Sequence, residues 1–147
     1  MNKSSFSVNT RVLVVDDDET ARRLNLKVLK KLGFDHLNEA EDGAKALDII
    51  RHELDPPVGL VLSDWQMPDI HGLDFLNELR KDPSTQKIPF LMITAILDDD
   101  KLSDLQDPFI GVLAKPYRPY DLVDALNGLY NQVEGKGPQS ENVKEGA

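Results

Sequence analysis

Cysteine is absent from the 147-residue chain, so disulfide bonds and thiolate chemistry play no part in its fold or function. No apolar run approaches the roughly 18 residues of a membrane span, and the opening residues lack the apolar core of a signal peptide. Positive charge is scarce as well, with 17 Lys and Arg against 26 Asp and Glu, and the net charge of −9 opposes binding to nucleic acid. These absences predict a soluble, cytoplasmic protein with no membrane or nucleic-acid partner, which binds other proteins.

Short β-branched or apolar runs alternate along the chain with segments of helical periodicity. Five such runs predict strands, and the segments between them repeat apolar residues at intervals of three and four. This alternation predicts βαβ units and a mainly parallel sheet in one domain, residues 11–131. Residues 1–10 are predicted to form an N-terminal arm anchored by Phe6 and Val8, and residues 132–147 a disordered tail.

The helical periodicity also predicts which residues face the core. In the first helix, residues 20–32, these are Ala21, Leu24, Val28, Leu29 and Leu32; in the second, opened by Asp42 and Gly43, they are Ala44, Leu47, Ile50 and Leu54. The third helix presents Leu73, Leu76 and Leu79, a fourth at residues 98–107 presents Leu102 and Leu105, and the last presents Leu122, Val123, Leu126, Leu129 and Tyr130.

Four of the five predicted strands are followed directly by polar residues. Asp16 and Asp17 follow the first strand, Asp64 the third, Thr94 the fourth and Lys115 the fifth. Because parallel strands all end at the same edge of a sheet, and ligands of open α/β sheets bind at that edge, these side chains are expected to converge in one cleft.

Three carboxylates that share a cleft raise one another's pKa, so a cation has to compensate for their charge. Oxygen ligands suit Mg²⁺, which takes one or two carboxylates together with a phosphate oxygen. Lys115 supplies a positive charge and the Thr94 hydroxyl a hydrogen-bond donor, and both suit a phosphoryl group. A carboxylate such as Asp64 can itself become an acyl phosphate through positioning and charge neutralisation. The residues therefore predict a magnesium-dependent phosphoacceptor site without histidine.

Five separated motifs, followed by Lys115-Pro116, resemble the receiver domain of two-component response regulators. They are Val-Val-Asp-Asp (14–17), Lys-Leu-Gly-Phe (31–34), Glu-Ala-Glu-Asp-Gly (39–43), Ser-Asp-Trp-Gln-Met-Pro (63–68) and Leu-Met-Ile-Thr-Ala (91–95). The CheY-like receivers of chemotaxis are nearest in pattern, over about residues 11–131. The resemblance implies a single-domain, flavodoxin-like (βα)5 fold: a doubly wound, five-stranded parallel sheet with the strand order 2-1-3-4-5.

The resemblance also implies roles for the acidic residues. Asp64 would be phosphorylated by a partner histidine kinase. Asp17, Asp64 and the backbone carbonyl of Gln66 would bind one Mg²⁺ directly, and Asp16 would act at the metal through water. The chain would not be an enzyme in the ordinary sense, since it would catalyse only its own phosphorylation and dephosphorylation.

Other positions would hold the phosphoryl group and transmit its presence. Thr94 and Lys115 would bind the phosphoryl oxygens, and the Lys115–Pro116 peptide bond would be cis. Displacement of Thr94 and Ala95 would then shift the face made by the fourth helix, the fifth strand and the last helix, through which an output protein binds.

The chain departs from the family pattern near this switch. Val112 stands three residues before the lysine, where the family often has an aromatic residue, which argues against an aromatic switch. Gln66 and Ile96 flank the path of an attacking water, and the apolar Ile96 predicts slow hydrolysis of the acyl phosphate. The segment before the fifth strand is one residue shorter than in the chemotaxis receivers, and it carries Asp107-Pro108-Phe109.

The expected output is contact with another protein, because few residues follow the last predicted helix. A monomeric, stand-alone regulator of chemotaxis type is the leading prediction, and a phosphorelay intermediate or the receiver of a larger hybrid kinase is the alternative. Two other classes are an interaction module that is never phosphorylated and a haloacid-dehalogenase-type phosphatase with Asp16 as nucleophile and Asp18 as acid. Outside the site, Trp65 is assigned to the core or the cleft rim, and His36, His52 and His71 to the surface.

Overall fold

The computed structural model describes residues 6–66, 71–95 and 107–134. Its strands are β1 (Arg11–Val15), β2 (His36–Ala40), β3 (Val58–Asp64), β4 (Phe90–Thr94) and β5 (Ile110–Ala114). Its helices are α1 (Glu19–Lys31), α2 (Gly43–Arg51), α3 (Gly72–Lys81) and α4 (Pro119–Val133). The helix predicted at residues 98–107 lies outside the described residues except for its last one. None of the described helices is long and apolar enough to cross a membrane.

All five strands belong to one parallel sheet, in the order β2-β1-β3-β4-β5. The predicted flavodoxin-like topology is therefore confirmed. The three inner strands are almost wholly buried, because helices cover both faces of a doubly wound sheet.

Two hydrophobic clusters lie on opposite faces of the sheet. One contains residues from α2 and α3, among them Ala46 and Phe75, and the other contains Leu29 of α1 and Leu126 of α4. Trp65 is fully buried in the cluster on the α2 and α3 side, so it belongs to the core. Because a core covers both faces, the carboxyl ends of the strands are where a sheet of this kind binds a ligand.

Polar residues and a glycine define the helix ends where the sequence predicts them. The Asp18 carboxylate accepts a hydrogen bond from the Thr20 backbone N–H at the start of α1, and Gly33 beyond its end has a φ of 104°. Helix α4 ends at Val133, two residues past the predicted domain boundary. In the N-terminal arm, Phe6 is buried and contacts the Tyr130 ring edge to face.

Helix α1 is rotated relative to the predicted stripe. Leu24, assigned to the core, is 55% exposed, whereas Arg22, Asn25 and Leu29 are buried. The expectation for Leu24 was wrong because the two buried polar side chains hydrogen-bond to groups outside the helix. An apolar periodicity could not register such contacts.

Two smaller expectations were also wrong. Ala44 of α2 is exposed and Ala46 is buried in its place, because the buried face of the helix is made by Gly43, Ala46 and Leu47. His36 and His71 are half-buried rather than on the surface. The His71 ring accepts the Leu73 backbone N–H at 3.2 Å and contacts the Trp65 ring edge to face. This histidine therefore caps α3.

The rotation of α1 predicts a large loss of stability for one leucine of the helix and a small one for another. Leu29→Ala should lower the free energy of unfolding by about 2–5 kcal/mol, because it leaves a cavity in the core. Leu24→Ala should change it by no more than about 0.5 kcal/mol, because a largely exposed side chain loses little contact. Urea denaturation followed by circular dichroism measures both values, and equal losses would contradict this orientation of the helix.

Gly72 lies where α3 approaches the end of β3, and a side chain has no room there. A Cβ at this position would lie 2.7 Å from the Asp64 backbone oxygen and 2.9 Å from Trp65 Cα. Gly72→Ala should therefore destabilise the protein by about 1–3 kcal/mol. Gly128 of α4 has no atom within 4 Å of such a Cβ, so Gly128→Ala should stabilise by about 0.5–1 kcal/mol. Thermal unfolding of both variants tests the contrast, and a stabilised Gly72→Ala variant would contradict the close approach.

Candidate functional site

The register of the sheet brings the polar residues at the strand ends together. Val15 pairs with Ser63, and Ile93 pairs with Asp64. Asp16 therefore follows β1 at the level where Asp64 ends β3. On the other side Thr94 pairs with Ala114, and the Lys115 backbone N–H donates to the Thr94 carbonyl at 2.8 Å.

Three carboxylates form an acidic cluster at this edge. Asp16, Asp17 and Asp64 each offer a carboxylate oxygen within 4.8 Å of the others. Asp16 is 3% exposed and Asp64 9% exposed, whereas Asp17 is exposed. The cluster thus has a buried base and one ligand open to solvent, which leaves a side from which an ion can enter.

Burial dominates the electrostatics of the two inner carboxylates. Desolvation raises the pKa of Asp16 above its usual value; the Asp18 N–H that donates to its Oδ1 at 2.9 Å opposes the rise, and the Asp64 charge adds to it. Desolvation also raises the pKa of Asp64, while Lys115 lowers it. Both carboxylates are therefore held at a cost that a bound cation would relieve.

Lys115 brings a positive charge to the cluster. Its Nζ lies 3.5 Å from Asp64 Oδ1, and the Gln66 backbone N–H donates to the same oxygen at 3.5 Å. Both contacts are with Oδ1, so Asp64 Oδ2 has no hydrogen bond or ion pair from the part of the chain that the structure describes. Thr94 is buried beside Lys115 at the end of β4.

The acidic cluster fits a hard divalent cation. Its side-chain donors are all carboxylate oxygens, two of which come from buried residues. Mg²⁺ prefers oxygen ligands and keeps several waters, so two or three carboxylates around an open side suit it. The backbone carbonyl of the exposed Gln66, two residues after Asp64, is a further candidate ligand.

The remaining predicted positions lie around the site or outside the described residues. Ala95 is exposed at the end of β4, and Val112 of β5 is 42% exposed. The Lys115–Pro116 bond is cis, as the resemblance implied. Ile96 lies outside the described residues, so the expectation of slow hydrolysis stays a prediction.

Sequence reasoning missed three side chains that support the site from α1 and the loop after β5. Arg22 donates to the Asp16 backbone carbonyl at 2.8 Å, and the Tyr117 hydroxyl donates to the Asn25 side-chain oxygen at 2.6 Å. The available signal was the spacing of Arg22, Asn25 and Leu29, which places two polar residues on the same face as a core leucine.

Comparisons with known proteins agree with this geometry. The family model described as response regulator receiver domain matches residues 12–127. Chemotaxis protein CheY-3 of Vibrio cholerae is 32% identical over 126 residues, which are 85% of this chain and 95% of that protein. CheY of Pseudomonas aeruginosa is 30% identical over 126 residues, 85% of this chain and 99% of that protein. The solved structure of Vibrio cholerae CheY4 has a TM-score of 0.72 at 27% identity, over 80% of this chain and 96% of that one. The chain belongs to the family of response regulator receiver domains.

Proposed function

We propose that this receiver is a stand-alone response regulator, phosphorylated on Asp64 by a histidine kinase in a Mg²⁺-dependent reaction. Receiver domains of this kind interact with histidine kinases and output proteins and generally bind Mg²⁺. The observation that carries the proposal is the meeting of Asp16, Asp17, Asp64 and Lys115 at one edge of the sheet.

The acidic residues have two tasks in this proposal. Asp17 and Asp64, with the Gln66 carbonyl, would hold Mg²⁺ directly, and Asp16 would act at the ion through water. When bound, the ion neutralises charge on the phosphoryl oxygens. Asp16 Oδ1 accepts the Asp18 N–H and Asp64 Oδ1 the Gln66 N–H, so both carboxylates would keep their positions without an ion.

Transfer requires one new bond at Asp64. A carboxylate oxygen attacks phosphorus, a P–O bond forms, and the P–N bond to the kinase histidine breaks with its electron pair returning to the imidazole. Oδ2 suits this attack, since both contacts to Asp64 described above are with Oδ1. Lys115 and the Thr94 hydroxyl then bind the phosphoryl oxygens. The protein would catalyse only this transfer and the hydrolysis of its product, in which water attacks phosphorus, the P–O bond to Asp64 breaks and inorganic phosphate leaves.

An open depression beside Lys115 supports contact with a protein donor. It has a volume of about 460 Å³, and Leu24, Ala95 and Tyr117 are among its lining residues. Leu24 is exposed there although it is a large apolar residue. Apolar side chains that share this depression with Lys115 offer a surface that a kinase would cover during transfer.

The proposed output is a protein contact of chemotaxis type. It would be made through the helix predicted at residues 98–107, strand β5 and the last helix, α4. The support is the similarity to two chemotaxis proteins over at least 95% of their length. A phosphorelay intermediate and the receiver of a hybrid kinase are the alternatives within the family. The phosphatase hypothesis is set aside, because the chain is a receiver and the Asp18 carboxylate caps α1.

Phosphorylation is tested by intact mass after incubation with acetyl phosphate or phosphoramidate. Wild type should gain the mass of one phosphoryl group in the presence of Mg²⁺, and Asp64→Asn should gain none, because an amide is not a nucleophile here. Asp48→Asn, an exposed acid of α2, is the control and should behave as wild type. No adduct on wild type, with beryllofluoride also failing to bind, would favour an interaction module. An adduct lost in Asp16→Asn but kept in Asp64→Asn would revive the phosphatase hypothesis.

The raised pKa values of Asp16 and Asp64 predict how stability depends on pH and Mg²⁺. The folded state holds more protons than the unfolded chain between the unfolded and folded pKa values, so stability falls as pH rises through that window and stays lower at neutral pH. Without Mg²⁺ at neutral pH, Asp16→Asn should raise Tm by about 2–4 °C, as for about 1 kcal/mol. Millimolar Mg²⁺ should stabilise wild type more than the variant.

Differential scanning fluorimetry at acidic and neutral pH, with and without Mg²⁺, measures these shifts. Asp48→Asn removes an equal charge from the surface and should leave Tm unchanged under all four conditions. A lower Tm for Asp16→Asn at neutral pH without Mg²⁺ would mean that the buried charge is not held at a cost.

A further inference from the structure

We propose that helix α1 positions both halves of the site through two buried polar side chains, Arg22 on the acidic side and Asn25 on the lysine side. The inference rests on the proposed function, whose groups these residues would place. Neither side chain touches the reacting atoms, so both are positioning residues.

Arg22 holds the segment that carries the paired acids. It is 9% exposed, donates to the Asp16 backbone carbonyl at 2.8 Å, and binds the Glu39 carboxylate of β2 through Nε at 2.6 Å. The carbonyl belongs to the residue whose side chain forms the base of the cluster. Arg22 thus fixes the peptide group between Asp16 and Asp17, while Glu39 balances the charge of the guanidinium group.

Asn25 holds the segment that carries the lysine. Its side-chain oxygen accepts the Tyr117 hydroxyl at 2.6 Å, and Tyr117 lies two residues after Lys115. Burial raises the pKa of Tyr117, so the hydroxyl keeps its proton and remains a donor. The bond ties the loop after β5 to α1 and limits where Lys115 can lie relative to Asp64.

The cost of Asn25 argues for a role beyond stability. It is 1% exposed on the core side of α1, and its Nδ2 has no hydrogen-bond partner among the described residues. A buried amide donor without a partner costs about 1–3 kcal/mol, and asparagine is a poor helix former. Leucine would suit this position better if the helix served only the core.

The two contacts come from one rigid element. Arg22 and Asn25 are three residues apart, so they share a face of α1 and cannot move independently. The helix therefore fixes the distance between the acidic segment and the lysine loop, which adjoin strands at different places in the sheet.

The acidic side is tested by Mg²⁺ affinity, measured from the fluorescence of Trp65, which adjoins Asp64. Arg22→Ala should weaken Mg²⁺ binding about 10-fold, as loss of an outer partner of a metal site commonly does. Arg23→Ala is the matched control: this exposed neighbour also reaches Glu39, at 3.4 Å, and should leave the affinity unchanged. Arg22→Lys keeps a hydrogen-bond donor and should give an intermediate Mg²⁺ affinity. This variant still allows the test if Arg22→Ala does not fold.

The lysine side is tested by the phosphorylation rate at saturating Mg²⁺. Tyr117→Phe should slow phosphorylation about three- to tenfold, the range expected for one hydrogen bond, with unchanged Mg²⁺ affinity. Tyr120→Phe removes the hydroxyl of an exposed tyrosine and should have no effect. Asn25→Leu should show the Tyr117→Phe defect while unfolding at an equal or higher temperature, a combination that a merely structural role would not produce.

The side-chain NMR signals of Lys115 give a readout that needs no phosphorylation. They should shift in Tyr117→Phe and Asn25→Leu but not in Tyr120→Phe. If wild type takes up no phosphoryl group, the proposed function fails, while the Mg²⁺ affinities and these signals still decide the positioning roles. Unchanged affinity in both Arg22 variants, or unchanged Lys115 signals in Tyr117→Phe, would overturn the inference for that side.

Discussion

The chemistry of the site depends on the burial of carboxylates close to one another at one edge of the sheet. Asp16 is buried, Asp64 is largely buried, Asp17 lies beside them, and the charge of Lys115 only partly compensates. Burial strengthens each of these interactions because the local dielectric is low. Burial raises the pKa of the two inner carboxylates, and a bound cation would relieve the same cost.

This arrangement could be predicted because it follows from local sequence and from one rule of topology. Each strand is a short apolar run whose end is marked by the polar residue itself, and parallel strands end at the same edge. Asp16, Asp64, Thr94 and Lys115 therefore converge whatever the details of packing. The strand order, by contrast, came from the resemblance, since periodicity does not determine which strands are neighbours.

The orientation of α1 could not be predicted from its apolar periodicity alone. Its apolar pattern allows Leu24 to face inward, and the decision depends on partners elsewhere: Asn25 meets Tyr117, 92 positions along the chain. The close approach of Gly72 to the Asp64 backbone has the same origin. Such features need tertiary contacts, which override the periodicity of a single helix.

These non-local contacts bear on how a small chemical event could be transmitted. In the proposed reaction a phosphoryl group adds negative charge to a cluster that already has an excess of it. Lys115 and Thr94 are therefore drawn toward the phosphoryl group. Two contacts link Lys115 to its neighbours. The Tyr117 hydroxyl joins the loop after β5 to Asn25 of α1, and the Lys115 backbone N–H donates to the Thr94 carbonyl. Val112 offers no aromatic ring to follow Thr94, so in the proposed switch the coupling would run through backbone and loop contacts.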